Sequence, residues 1–157
     1  QGELEEAAAL IEKVVTIECS PLIKCRVNMV AGDIAVKKSN YVEAIRLYEK
    51  ATRTTQEEED VDFDATLRYR LGSAYLANGD LTHAEDEFNK VQDIDQQGIN
   101  ILVMYTKYGL ARVASEKGEK EKAHRLGQDI LEELSRFTSS HQLLSQIKNF
   151  LKSLEKD

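Results

Sequence analysis

The residues of this chain that could do chemistry are two cysteines and three histidines. Cys19 and Cys25 lie six positions apart. This spacing allows a local disulfide or two reduced cytosolic thiols, and we favour the thiols. The histidines, His83, His124 and His141, are scattered along the chain. A structural metal site takes four ligands at characteristic spacing, so we predict no metal site.

Sequence motifs of common catalytic sites are missing. The chain contains no GxxxxGKS/T or GxGxxG phosphate loop, no HExxH zinc motif and no GxSxG nucleophile turn. We therefore predict a protein that is not an enzyme, with no catalytic residues and no cofactor.

The densest charge cluster is an acidic run from Glu57 to Asp60, which continues at Asp62 and Asp64. We expect a solvated loop whose carboxylates stabilise the N-terminus of the following helix. The alternative is an acidic edge that attracts a basic partner or a cation.

Composition narrows the remaining classes of protein. The chain has 157 residues, of which 41% are hydrophobic and 31% are charged, and only one is proline. This is enough apolar material for one soluble domain, and too few turn residues for a sandwich or a barrel. The net charge of −7 and the absence of basic runs disfavour nucleic acid as a partner. No apolar run approaches the ~20 residues that span a membrane. We expect a cytoplasmic protein of long helices.

The sequence repeats with a period of 37 to 40 residues. Two copies share a glycine, an alanine twelve residues later and an aromatic four residues beyond: Gly32, Ala44 and Tyr48, then Gly72, Ala84 and Phe88. A third copy has Ala111 at the glycine position, Ala123, and Gly127 at the aromatic position, and a half copy opens the chain at Ala7. Glycine inside a helix costs about 1 kcal/mol against alanine. Its recurrence predicts that a neighbouring helix packs against bare backbone.

This pattern resembles the tetratricopeptide repeat (TPR) family. The best-matching copy carries the motif residues Leu71, Gly72, Tyr75, Ala84 and Phe88. The resemblance implies an all-α fold, a right-handed α-solenoid of antiparallel helix hairpins with about eight helices. The copies exceed the usual ~34 residues and lack the closing proline. In this they resemble the long, about 40-residue repeats of signalling adaptors and bacterial regulator or sensor proteins.

Capping residues divide the chain into predicted helices. Ser20 before Pro21 is typical of a helix start, and Gly79 and Gly118 are typical of helix ends. The predicted helices cover residues 3–18, 21–38, 41–57, 62–78, 81–96, 99–117, 119–136 and 140–155. We expect one domain over 1–157, with a half repeat at 2–18, repeats at 21–58, 62–97 and 99–136, and a capping helix at 139–157.

The resemblance places a partner-binding groove along the first helix of each hairpin. Helical spacing from the glycine positions selects eleven residues there: Arg26, Met29, Asp33, Lys37, Thr66, Tyr69, Arg70, Ser73, Tyr105, Tyr108 and Arg112. Tyrosine and arginine carry much of the energy of protein interfaces. Arg70 and Arg112 could each hold a partner carboxylate through two hydrogen bonds. The alternative for each tyrosine is packing inside the solenoid.

The function that the resemblance implies is a non-enzymatic protein–protein interaction module. It would bind a partner peptide or helix in the concave groove, as the scaffold or sensor part of a larger protein. The partner would be a protein or peptide, and neither nucleic acid nor a membrane. The chaperone clamp of some family members is absent, because Met29, Asp33, Tyr105 and Gly109 occupy its positions. The alternative function is a segment of a longer solenoid that forms a homo-oligomer through its exposed terminal helices.

Overall fold

The computed structural model describes residues 2–15, 20–57, 61–94, 101–135 and 141–155, and these form helices joined by turns. The helices are α1 (Gly2–Val15), α2 (Pro21–Lys37), α3 (Tyr41–Glu57), α4 (Val61–Ala77), α5 (Leu81–Ile94), α6 (Ile101–Glu116), α7 (Lys120–Ser135) and α8 (His141–Leu154). The predicted all-α fold with eight helices is confirmed for the described part of the chain. Three helices, α2, α3 and α5, begin at the predicted residue.

The helices form two compact units. The first covers Gln1–Asp80 and contains α1 to α4, and the second covers Leu81–Asp157 and contains α5 to α8. In the first unit, α3 packs against both α2 and α4, whereas α1 packs against α2. In the second unit, α6 packs against α5 and α7, and α8 packs against α7. The predicted division into one half repeat, three repeats and a capping helix stays a prediction.

Three helix ends share one turn construction, and they recur at the period of the repeat. Ser39, Gly79 and Gly118 have φ values of 57°, 82° and 79° after α2, α4 and α6. This left-handed conformation ends a helix and reverses the chain. Glycine adopts it without a steric cost, so Gly79 and Gly118 end their helices as predicted. In the first turn, Asn40 Oδ1 then accepts a hydrogen bond of 3.3 Å from the backbone N–H of Glu43 and caps α3.

The core of the first unit is built around a close contact between α2 and α3. The side chain of Tyr48 is 2% exposed. A Cβ atom added at Gly32 would lie 2.5 Å from Cε1 of the Tyr48 ring. The prediction of a side chain pressed against bare backbone is therefore confirmed at Gly32. Leu67 and Leu71 of α4 complete this core.

The second unit contains the same kind of close contact between a side chain and a helical glycine, at two other positions. A Cβ atom at Gly109 would lie 2.6 Å from Cζ of Phe88, and one at Gly127 would lie 2.7 Å from Cδ2 of Leu151. The sequence alignment placed Ala111 at the glycine position of this copy. The Phe88 ring packs instead on Gly109 of α6, a contact between the aromatic of the second copy and the first helix of the third, so the alignment of Ala111 stays a prediction. Gly127 stands where the other two copies have an aromatic residue. Leu151 of α8 fills the space there.

Asp64 is buried rather than solvated. It is 9% exposed, accepts a hydrogen bond of 2.8 Å from Thr55 Oγ1, and pairs with Arg68 at 2.6 Å. The interpretation of the acidic run as a solvated loop is therefore wrong for Asp64, whose carboxylate instead neutralises the buried Arg68 guanidinium. Residues 58–60 and the side chains of Glu57 and Asp62 lie outside the described residues.

Substitution of Gly32 by alanine tests the close contact between α2 and α3. The new methyl group meets the buried Tyr48 ring, so we expect a loss of about 1–3 kcal/mol in the free energy of unfolding. This loss appears despite the better helix propensity of alanine, about 1 kcal/mol. Gly127→Ala is the matched control, because the flexible end of Leu151 can move aside. Urea unfolding followed by circular dichroism measures both. Equal stability of Gly32→Ala and the parent would contradict this packing.

The buried ion pair makes a second prediction. Asp64→Ala leaves the Arg68 guanidinium buried without this carboxylate, and we expect a loss of about 3 kcal/mol in unfolding free energy. Thr55→Val removes one hydrogen bond and should cost about 1 kcal/mol. The exposed Asp86, replaced by alanine, serves as control and should change stability by less than about 0.5 kcal/mol. Urea denaturation separates these cases, and an Asp64→Ala protein as stable as the Asp86 variant would refute the assignment.

Candidate functional site

An open pocket of about 390 Å³ lies between α2 and α4 in the first unit, with Tyr48 of α3 as a further lining residue. Five of the eleven predicted groove residues line it: Asp33, Lys37, Tyr69, Arg70 and Ser73. The apolar part of the wall comes from Val36, Ala74 and Ala77. The structure thus brings the predicted residues of two successive first helices to one concave site.

Asp33 is the hub of this pocket. Its Oδ1 atom accepts a hydrogen bond of 2.6 Å from the Tyr48 hydroxyl and one of 2.5 Å from Nη1 of Arg70. One carboxylate therefore joins α2, α3 and α4. Burial, assisted by the hydrogen bond to Asp33, raises the pKa of Tyr48 above its ordinary value. Tyr48 consequently stays a neutral hydrogen-bond donor at physiological pH.

Arg70 is only partly satisfied by this network. Its Nε–H group is buried and has no hydrogen-bond partner among the described residues. The Arg70 side chain as a whole is 36% exposed, so the guanidinium remains in reach of a ligand. We predict from the sequence that Arg70 binds a partner carboxylate through two hydrogen bonds. Its Nη1 nitrogen already donates a hydrogen bond to Asp33, so a partner would bind at another part of the guanidinium. Because that pair is neutral, exposed Lys37 leaves the pocket with one net positive charge.

Three other predicted residues of the first unit do not line the pocket. The Arg26 guanidinium lies 4.9 Å from the centre of the Phe63 ring, in a cation–π contact. Met29 is half-buried and packs against the core, and Thr66 is half-buried on α4. These three residues therefore lie outside the site that Asp33 organises.

The predicted residues of the second unit lie on α6. Tyr105 and Tyr108 pack against the apolar cluster that α6, α7 and α8 form. The Tyr108 and Phe150 rings meet edge to face, with centres 5.6 Å apart. Packing inside the unit, the alternative left open for the tyrosines, thus describes both of them. Arg112 is exposed, and its contact with a partner stays a prediction.

The sequence reasoning assigned Tyr48 to packing alone and missed its hydroxyl group. The signal was present in the repeat alignment. The first copy has Asp33 and Tyr48 at two positions where the second copy has Ser73 and Phe88. A carboxylate and a hydroxyl thus occur together, and both are replaced together, as expected for a hydrogen-bonded pair.

The described residues offer little for other chemistry. No group of three or more His, Cys, Asp or Glu side chains among them could hold a metal ion. Cys25 is buried, with Sγ 3.3 Å from the carbonyl oxygen of Ala51, whereas Cys19 lies outside the described residues. None of the described helices is long and apolar enough to cross a membrane.

Comparison with known proteins shows similarity to a bacterial regulator. The chain is 30% identical over 124 residues to the transcription activator GutR of Bacillus subtilis, a match that covers 78% of this chain. The chain spans 15% of the length of that relative. The whole activator is therefore much longer than the region compared.

Solved structures and a family-wide sequence comparison identify the repeat. Two crystal structures of kinesin light chain TPR-like repeats from Podosopora anserina superpose with TM-scores of 0.78 and 0.79, at 18% and 17% identity. Each match covers 99% of this chain and 79% or 78% of the other. Residues 29–99 match the tetratricopeptide repeat family. Repeats of this family suggest a protein–protein interaction scaffold, generally without enzymatic activity. The chain is therefore a tetratricopeptide-repeat protein, matched by sequence over residues 29–99 and by fold over nearly its whole length.

Proposed function

We propose that this chain is a non-enzymatic interaction module that binds a peptide or helical segment of another protein in the pocket between α2 and α4. The observation that carries the proposal is the pocket itself. It combines aromatic and apolar walls with the cationic side chains of Lys37 and Arg70. The Arg70 side chain is 36% exposed, so a ligand acceptor can reach the guanidinium at a nitrogen other than the buried Nε.

The chemistry of the walls favours a ligand with an acidic or carbonyl-rich segment. Lys37 supplies the uncompensated positive charge, and Arg70 supplies hydrogen bonds that Asp33 does not use. Tyr69 offers a rigid half-buried ring beside them. Tyrosine and arginine are enriched among residues whose truncation costs 2 kcal/mol or more in binding. The ion pair with Asp33 holds Arg70 in place before the ligand arrives, which lowers the entropy lost on binding.

We further propose that the module is the sensor or scaffold part of a larger regulator. The support is the similarity to a transcription activator, of whose length this chain spans 15%. A peptide or protein bound in the pocket would then be the signal or the assembly partner of the regulator.

Self-association is a second candidate function, because large apolar side chains of the first unit face solvent. Leu10 of α1 is 61% exposed and Val42 of α3 is 68% exposed. Exposed apolar side chains of this size lose contact with water when a second copy packs against them. In this alternative, the terminal helix α1, which carries Leu10, packs against a second copy, and Val42 of α3 adds to the contact surface.

Peptide selection from a displayed random library tests the pocket between α2 and α4. We expect enriched peptides to carry acidic residues. Their affinity should fall at least about tenfold in Lys37→Glu and Arg70→Gln, which lose a charge or its hydrogen bonds. Fluorescence anisotropy with the labelled peptide measures this affinity in the parent and in each variant.

The matched control is Lys148→Glu, since Lys148 of α8 is exposed and does not line this pocket. It should bind the selected peptides like the parent. Equal loss in Lys37→Glu and Lys148→Glu would show general electrostatics rather than a site. Peptides that bind all variants equally would reject the pocket.

Sedimentation equilibrium distinguishes the two functions. The proposed interaction module sediments as a monomer over the whole concentration range, and Leu10→Gln leaves its mass unchanged. A mass that rises with concentration and returns to that of the monomer in Leu10→Gln or Val42→Gln would favour self-association instead.

A further inference from the structure

We propose that a second pocket, between α1 and α3, is a docking site for an acidic amphipathic helix of a partner protein. This pocket has a volume of about 590 Å³ and lies within the first unit. Its apolar lining includes Ile11, Ile34 and Leu47. The proposal does not depend on ligand binding between α2 and α4.

The two pockets use opposite faces of α2. Successive residues of an α-helix are rotated by about 100°. Ala31 and Lys38 therefore point about 160° and 140° away from the direction of Asp33, whereas Lys37 lies within about 40° of it. Ala31 and Lys38 line the second pocket, and Asp33 and Lys37 line the first. One site can thus be altered without change to the other.

The repeat itself indicates that a helix belongs on this face. With Gly32 aligned on Gly72, three positions of α2 correspond to three of α4: Val27 to Leu67, Ala31 to Leu71, and Ile34 to Ala74. The α4 residues are 0%, 3% and 2% exposed, because α3 packs on α4. The α2 residues are only half-buried, since α1 covers them incompletely. On α4 this surface is covered by α3, whereas the corresponding surface of α2 still has room for a helix.

Asn28 points to a ligand independently of the apolar surface. It is 6% exposed and lines the pocket, and its side chain has no hydrogen-bond partner among the described residues. The corresponding residue of α4 is Arg68, which pairs with Asp64 four residues earlier. Asn28 has Lys24 at that distance instead, and Lys24 is exposed. Arg70 Nε is the only fully buried polar side-chain atom without a partner among the described residues, so the Asn28 amide is open to the pocket, where a polar side chain of the docked helix could pair with it.

The charges at the rim select an acidic occupant. Lys38 and Lys50 are exposed at the pocket and form no ion pair among the described residues. Arg46 is already bound by Glu43, through hydrogen bonds of 2.6 and 2.8 Å. The rim therefore carries two uncompensated positive charges around an apolar floor, on a chain whose net charge is −7. A helix with an apolar stripe flanked by glutamates is complementary to this arrangement.

The test uses two fluorescein-labelled synthetic helices of roughly 18 residues, long enough to be helical in part. Both carry leucines at i, i+3 and i+7 with a central glutamine, and they differ only in flanking glutamates or lysines. Anisotropy titrations with the full chain should show at least tenfold tighter binding of the glutamate helix. The double variant Lys38→Glu/Lys50→Glu should lose at least tenfold in affinity for it.

Further variants assign the binding to this pocket. Lys148→Glu, an exposed lysine of α8 that lines neither pocket, should leave the affinity unchanged, whereas a loss in Lys37→Glu would place the helix in the pocket between α2 and α4 instead. Asn28→Leu should weaken binding of the glutamine-bearing helix and not of a helix with leucine at that position. Equal binding of the glutamate and lysine helices, or an unchanged Lys38→Glu/Lys50→Glu protein, would overturn the proposal. So would a dimer of the free chain, detected by sedimentation, that the glutamate helix fails to dissociate.

Discussion

The contact of the Tyr48 ring with the bare backbone of Gly32 is the constraint on which the first unit depends. The ring fills the space between α2 and α3, and its hydroxyl group reaches Asp33 at 2.6 Å. Asp33 in turn holds Arg70 of α4. One side chain therefore serves both the core and the pocket. A change that moves the ring would disturb the packing of the hairpin and the position of the candidate binding residues together.

The repeat explains which features the sequence could predict. Spacing between glycine, alanine and aromatic positions predicted the helices and the contact at Gly32, because these features depend on local geometry and side-chain volume. The turns at Gly79 and Gly118 followed from the conformational freedom of glycine. Helical spacing also grouped Lys37 with Arg70, since residues on corresponding faces of successive first helices come to one pocket.

Other features depend on pairs of distant side chains, which spacing alone does not reveal. The burial of Asp64 follows from its partners Thr55 and Arg68, and local sequence offered only a charge run. The contact of Phe88 with Gly109 joins the aromatic of the second copy to the first helix of the third, and spacing within one copy does not reveal it. Tyr108 is half-buried beside Phe150, a residue outside the repeat pattern. In each case the missing information was which partner the fold supplies.

The central claim is that the pocket between α2 and α4 binds a protein segment. The most direct measurement is a titration of the isotope-labelled chain with a selected peptide, followed by amide chemical shifts in NMR spectra. If the peptide binds in this pocket, the largest changes fall at Lys37, Tyr69 and Ser73, around the Asp33–Arg70 pair. Changes centred instead on Leu10 and Val42, with none at the pocket, would contradict this claim.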